Sequence, residues 1–269
     1  MAQHLLDVRD LCISFVGRDG NALEAVNKLN LYIDAGEIVG VVGESGCGKS
    51  VFAQSVMRLL EHEQKMAYEG QILFDGEDLL ARPLKRMREV RGCDIAMIFQ
   101  DPLSSLNPVM TVGAQVIEAV RAHRKVSRRD ARNEALSLLE RVGIRDAAAR
   151  FDMYPGDFSG GMRQRVGIAM AMAMKPKLLL ADEPTSALDV TNQAIIVKEM
   201  MNVRDKMNTA IIIVTHNMGV SCYMADYIMV MKKGRVVEYG KAEDVIYHPK
   251  EEYTRMLLAA VPKMGGEDA

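Results

Sequence analysis

The sequence predicts an α/β fold built on a parallel sheet, with antiparallel strands near the N-terminus and a helical segment ahead of the second half of the sheet. Three observations predict it. Short apolar runs at 38–42, 178–181 and 210–214 read as strands buried on both faces, as parallel sheets require. A helical pattern over roughly 191–207 separates the last two, giving the strand, helix, strand order of a parallel pair. From Pro102 to Pro155 no convincing strand is found.

In chain order, Leu29-Asn30-Leu31-Tyr32-Ile33 alternates in polarity as a half-buried strand does, and Ile38-Val39-Gly40-Val41-Val42 runs into a Gly-rich loop. A helix is predicted over 51–60. Residues 71–79 read as a hairpin, because Asp75-Gly76 supplies the positive φ angles of a tight primed turn. Over 131–142, Leu136, Leu139 and Val142 share one helical stripe, with a capping box at Ser127 and Asp130 and a stop at Gly143. A second hairpin is predicted from 227–231 and 235–239 around Lys232-Lys233-Gly234, followed by a mixed tail.

The chain has 269 residues, 49% hydrophobic and 26% charged, which suffices for a substantial core. With 34 Lys and Arg against 36 Asp and Glu, the net charge of -2 argues against a protein built mainly to wrap nucleic acid. The longest apolar run, 166–174, falls far short of the roughly 20 residues of a membrane-crossing helix. Lacking a basic start followed by an apolar stretch, the N-terminus points to the cytosol, with any membrane role peripheral. Cys12, Cys47, Cys93 and Cys222 stand far apart, suggesting neither a zinc site nor a disulfide framework. The 20 methionines are scattered and read as adaptable apolar packing. The basic run Arg121, His123, Arg124, Lys125, Arg128, Arg129 and Arg132 reads first as a solvated helix face, then as a contact for a membrane partner or anionic headgroups.

Three motifs carry chemistry. Gly43-Glu44-Ser45-Gly46-Cys47-Gly48-Lys49-Ser50 fits Gly-x-x-x-x-Gly-Lys-Ser between a buried strand and a helix, where backbone N–H groups and a helix N-terminus surround phosphate oxygens. Lys49 is then expected on the β- and γ-phosphates and Ser50 on magnesium. Leu178-Leu179-Leu180-Ala181-Asp182-Glu183 delivers two carboxylates to the end of a buried strand, where parallel sheets bind ligands. Asp182 suits magnesium and Glu183 a base that polarises the attacking water; the bland alternative is a solvated acidic turn. Phe158-Ser159-Gly160-Gly161-Met162-Arg163-Gln164 offers N–H groups to a further phosphate, or is simply a loop and N-cap.

Taken in order, the phosphate loop, Gln100, Ser159-Gly160-Gly161, Asp182-Glu183, Ser186-Ala187-Leu188-Asp189 and His216 resemble the motifs of ATP-binding cassette (ABC) ATPases over nearly the whole chain. The resemblance implies a P-loop NTPase, RecA-like core with an N-terminal antiparallel β subdomain and an inserted α-helical subdomain. Core and β subdomain would take 1–100 and 156–240, the helical subdomain 101–155 with the signature loop at its end, and a C-terminal extension 241–269. It also implies two ATPs sandwiched between two ATPase subunits, identical or related, each phosphate loop facing the partner's signature loop, with Asp189 in the loop crossing that interface. Gln100 would sense magnesium and the attacking water, His216 would contact the γ-phosphate, and Val51 would follow Ser50 beside the nucleotide. Phe15 matches the aromatic position that stacks on adenine, with Tyr32 the nearby alternative.

A narrower resemblance lies in Met97-Ile98-Phe99-Gln100-Asp101-Pro102-Leu103-Ser104-Ser105-Leu106-Asn107-Pro108 and in His248-Pro249-Lys250-Glu251-Glu252-Tyr253-Thr254-Arg255-Met256-Leu257-Leu258. Both are similar to the branch that powers import of dipeptides, oligopeptides and nickel. That branch implies two membrane permease subunits and an extracytoplasmic substrate-binding protein, with ATP and Mg2+ as cofactors and no nucleic acid. Asn217 departs from the Asp common after the histidine, and Phe158 from the usual Leu. A cysteine-bearing tail is missing, so no iron–sulfur cluster is expected. The rival is a soluble cassette ATPase acting on ribosomes or DNA, which usually carries two cassettes or a long coiled coil.

Overall fold

The computed structural model describes residues 4–62, 64–101, 105–186 and 190–261. Along the chain come β1 (Leu6–Val16), β2 (Ala22–Ile33), β3 (Ile38–Val42), α1 (Lys49–Val56), β4 (Met66–Phe74), β5 (Glu77–Asp78) and β6 (Ile95–Ile98). Next come α2 (Val112–Arg121), α3 (Arg128–Arg141), α4 (Ala147–Arg150), α5 (Gly160–Ala171), β7 (Leu178–Asp182), α6 (Val190–Met207) and β8 (Ala210–Thr215). The chain then forms α7 (Met218–Met224), β9 (Tyr227–Lys232), β10 (Arg235–Lys241), α8 (Ala242–Tyr247) and α9 (Glu252–Ala259). Two compact units divide it: the described residues of Met1–Ile33, Glu37–Leu80 and Ile213–Ala269 form one, Asp34–Gly36 and Ala81–Ile212 the other.

The first unit contains the antiparallel sheet β2-β1-β4-β5. Its long strands change phase midway. In β1 the buried residues switch from Leu6 and Val8 to Leu11 and Ile13 across a register shift at Asp10, whose φ is +45°. β2 changes phase at Lys28 (φ +48°), and β4 carries Gly70 (φ +88°) opposite the same bulge. The Asp75-Gly76 turn has both φ angles positive, at +52° and +82°, as a primed hairpin turn needs, although β4 begins five residues before the expected Gln71. In the same unit β3 runs parallel to β9, and β9 pairs antiparallel with β10 around Lys233 and Gly234. All of β3 is buried, which is why its run is apolar without alternation.

The second unit pairs β6 with β7 in parallel. Its helices α2, α3 and α5 pack on one another, and no strand occurs among the described residues of 101–155. Ser127 caps α3: its Oγ accepts from the Asp130 N–H at 3.1 Å and donates to the Asp130 carboxylate at 2.6 Å. The buried stripe of α3 runs through Ala131, Ala135, Leu138 and Leu139, with Val142 just beyond; Leu136 is only half-buried. The sequence stripe through Leu136 is therefore off, because Ala131 and Ala135 set the face and put Leu138, three residues after Ala135, on it. Fully burying a side chain such as Phe52 of the first unit or Phe151 of the second stabilises by about 1.5–3 kcal/mol.

Candidate nucleotide site

Where β3 ends, the chain leaves extended structure at Gly43 and re-enters helix at Lys49. The loop between needs glycine at two places. At Gly43 a Cβ would sit 2.2 Å from the Met231 carbonyl oxygen, and at Gly48, whose φ is +105°, it would sit 2.5 Å from the Ala25 carbonyl oxygen. Backbone cannot yield as a flexible side chain can. Gly48→Ala is accordingly expected to destabilise the protein by about 2–4 kcal/mol, combining left-handed strain with overpacking. A lowered denaturant midpoint checks this; an unchanged midpoint contradicts the role given to Gly48.

Lys49 is 4% exposed, and its ammonium lies beneath the loop, donating to the carbonyl oxygens of Gly43 and Glu44, each at 2.8 Å, and to Cys47 Sγ at 3.7 Å. The Cys47 carbonyl accepts from the Gly234 N–H at 2.9 Å, tying the loop to the β9–β10 turn. Glu44, Ser45 and Gly46 face outward, whereas Ser50 and Val51 are half-buried on the first turn of α1. That helix has no side-chain cap, since its N-cap is Gly48. An uncapped helix start, a loop of backbone donors and a buried ammonium form a donor set suited to the oxygens of a polyphosphate.

In the second unit, β7 carries Asp182 at its end, only 3% exposed. Glu183 follows with φ at +46°, a left-handed conformation unusual for a β-carbon residue. The Ser186 hydroxyl and N–H both donate to the Glu183 carbonyl oxygen, at 3.1 and 3.2 Å. Gln100, just beyond β6, donates from Nε2 to the Glu183 carboxylate at 3.0 Å. Parallel pairing sets this up, because the register Ile98↔Ala181 ends the two strands side by side. Ser159 caps α5, its Oγ accepting from the Met162 N–H at 3.3 Å, and Gly160 and Gly161 open that helix. Ser159 itself is exposed.

His216, in the first unit, is exposed between β8 and α7. The following Asn217 caps α7, its side chain accepting from the Gly219 N–H at 3.0 Å and its own N–H donating to Thr215 Oγ1 at 2.9 Å. The expected Asp is replaced here by a residue equally suited to the cap. Phe15 lies half-buried on β1 between Leu23 of β2 and Met66 of β4. Tyr32 is engaged elsewhere, stacked on His4 at 4.4 Å and edge-on to Tyr227 and Tyr239. Ala187, Leu188 and Asp189 lie outside the described residues, as do Pro102, Leu103 and Ser104. Sequence reasoning assigned no role to Tyr253, whose hydroxyl meets the phosphate loop at Glu44.

The sequence profile of the ABC transporter family matches residues 26–186. The chain belongs to the ABC transporter family. It is an ATP-binding cassette ATPase, with a mixed α/β fold. This cassette is 47% identical over 260 residues to the oligopeptide transport ATP-binding protein OppD of Bacillus subtilis (strain 168), covering 97% of this chain and 72% of that protein. It is 46% identical over 268 residues to OppD of Salmonella typhimurium, covering 100% of this chain and 79% of that protein. Among solved structures it is similar to the dimeric, post-hydrolysis ATP-binding cassette MJ0796 bound to ADP and Pi, with a TM-score of 0.78, 26% identity, and 88% of this chain and 98% of that chain covered.

Proposed function

We propose that this cassette ATPase powers the import of peptides through separate membrane permease subunits, fed by an extracytoplasmic substrate-binding protein. The observation that carries the reading is its likeness, across nearly its whole length, to oligopeptide transport ATP-binding proteins. Nickel or a metal chelate is the alternative cargo. Among the described residues no helix is long and apolar enough to cross a membrane, so the place we give the chain, on the cytoplasmic face of the membrane, depends on its permease partners.

The residues divide the work as follows. Lys49 holds the β- and γ-phosphates together with the loop N–H groups of 45–51, the Glu44 N–H being taken by the Tyr253 hydroxyl, and Phe15 stacks on the base. Ser50 and Asp182 supply oxygen donors of the kind magnesium takes, and Gln100 is the third residue we assign to it. Magnesium, when bound there, offsets phosphate charge during transfer. Glu183 polarises the attacking water, and Gln100, already hydrogen-bonded to that carboxylate, orients it. His216 contacts the γ-phosphate. Two copies, or this chain and a related one, complete each other's sites: Ser159, Gly160 and Gly161 reach the partner's nucleotide, and Asp189 lies in the interface loop. ATP binding would close the pair and hydrolysis reopen it, passing movement to the permease through the Gln100 segment and the helical subdomain.

Affinity purification of the tagged chain from its own membranes tests this. Two permease chains are expected to copurify, with ATP turnover raised by peptide-loaded binding protein. Cosedimentation with ribosomes or DNA, and with no membrane protein, contradicts it.

A further inference from the structure

We propose that Tyr253 is a positioning residue for ATP binding, through which the C-terminal helix α9 holds the phosphate loop in the shape that receives a polyphosphate. The proposal rests on reading that loop as the ATP site. Its first observation is that the Glu44 N–H donates to the Tyr253 hydroxyl oxygen at 3.1 Å, across 209 positions of sequence. Glu44 is thus gripped on both sides: its N–H by Tyr253, its carbonyl oxygen by Lys49. Phosphate oxygens compete for the lysine's donors, but Tyr253 offers the loop a grip that nucleotide does not compete for. Burial pushes the Tyr253 hydroxyl above the ordinary phenol range.

Tyr253 is itself held firmly. It is 7% exposed, packed in one apolar cluster with Val42, the last residue before the loop, and with Met218, Ile228 and Val230. The Lys232 ammonium lies 4.5 Å from the centre of its ring. The helix bearing it has no side-chain cap of its own. Instead the Glu238 carboxylate of β10 accepts from the N–H groups of Lys250 at 2.8 Å and Glu251 at 3.2 Å, while Arg255 Nη1 donates to the carbonyls of Pro249 and Lys250. The segment His248–Leu258 thereby acquires a purpose: a braced stalk delivering one hydroxyl to the phosphate loop.

The test uses the purified transporter with its full-length chain. Tyr253→Phe keeps the ring on its cluster and removes only the acceptor. The expected result is a KM for ATP raised about five-fold, the effect of one lost hydrogen bond, with kcat within about twofold of native. Leu257→Ala, which trims the same helix where it packs on the same cluster, is the control for simple destabilisation. It is expected to lower the unfolding midpoint and leave KM unchanged. A native KM in Tyr253→Phe, a change confined to kcat, or an equal rise in Leu257→Ala overturns the proposal. Lys49→Ala, assayed beside them, separates the two claims: if it hydrolyses ATP normally, the ATP-site reading fails, whatever Tyr253→Phe does.

Discussion

Glu183→Gln is expected to lower ATP turnover by roughly two to four orders of magnitude, the usual contribution of a general base, while nucleotide binding persists. The substitution is local because glutamine keeps a side-chain oxygen where the carboxylate stands, so the Gln100 amide retains an acceptor. The hydrogen bonds from Ser186 go to the Glu183 main-chain carbonyl and are untouched. What changes is the ability to take a proton from water. Single-turnover hydrolysis in the assembled transporter, alongside equilibrium ATP binding, checks both halves of this expectation. Unchanged turnover would remove Glu183 from the role of base and leave its left-handed backbone without a chemical purpose.

The second large effect is expected at Lys49. Lys49→Ala deletes a buried ammonium and its donations to the carbonyls of Gly43 and Glu44, and with them the only positive side chain inside the loop sequence of 43–50. Charge-assisted hydrogen bonds to phosphate oxygens are worth about 1.5–3 kcal/mol each, so ATP affinity is expected to fall roughly a hundredfold or more. Equilibrium binding of a fluorescent ATP analogue reads this directly. A parallel unfolding curve shows that the variant remains folded, and binding within a few-fold of native would contradict the role.

Much of the fold was legible because its central strands are short and uniformly apolar. Ile38–Val42 matches its expected bounds, and the strands ending at Asp182 and Thr215 each extend theirs by one residue. The N-terminal sheet was less legible for one physical reason. Asp10, Lys28 and Gly70 form bulges in three adjoining strands, and each resets which side chains face inward. Alternation therefore revealed β2 only after Lys28 and β1 not at all, and β4 was read only after Gly70, from the Asp75-Gly76 turn that follows it. β6 escaped because four apolar residues cannot be told from a piece of buried helix by periodicity.

The site divides along similar lines. Phosphate loop, acidic pair and signature are each an unbroken stretch of sequence, and their residue types state their chemistry. Gln100 meets Glu183 across 83 positions, and only the resemblance of the whole motif order suggested that they act together. The bond from Glu44 to Tyr253 left no local trace, because a tyrosine in an amphipathic helix reads as core.

Uptake of a labelled oligopeptide by cells carrying either the native chain or Glu183→Gln as their sole copy tests the central claim most directly. The account predicts ATP-dependent uptake with the native chain and none above background with the variant, although the variant chain still assembles at the membrane. Equal uptake in the two strains, or uptake that persists when the chain is deleted, would contradict it.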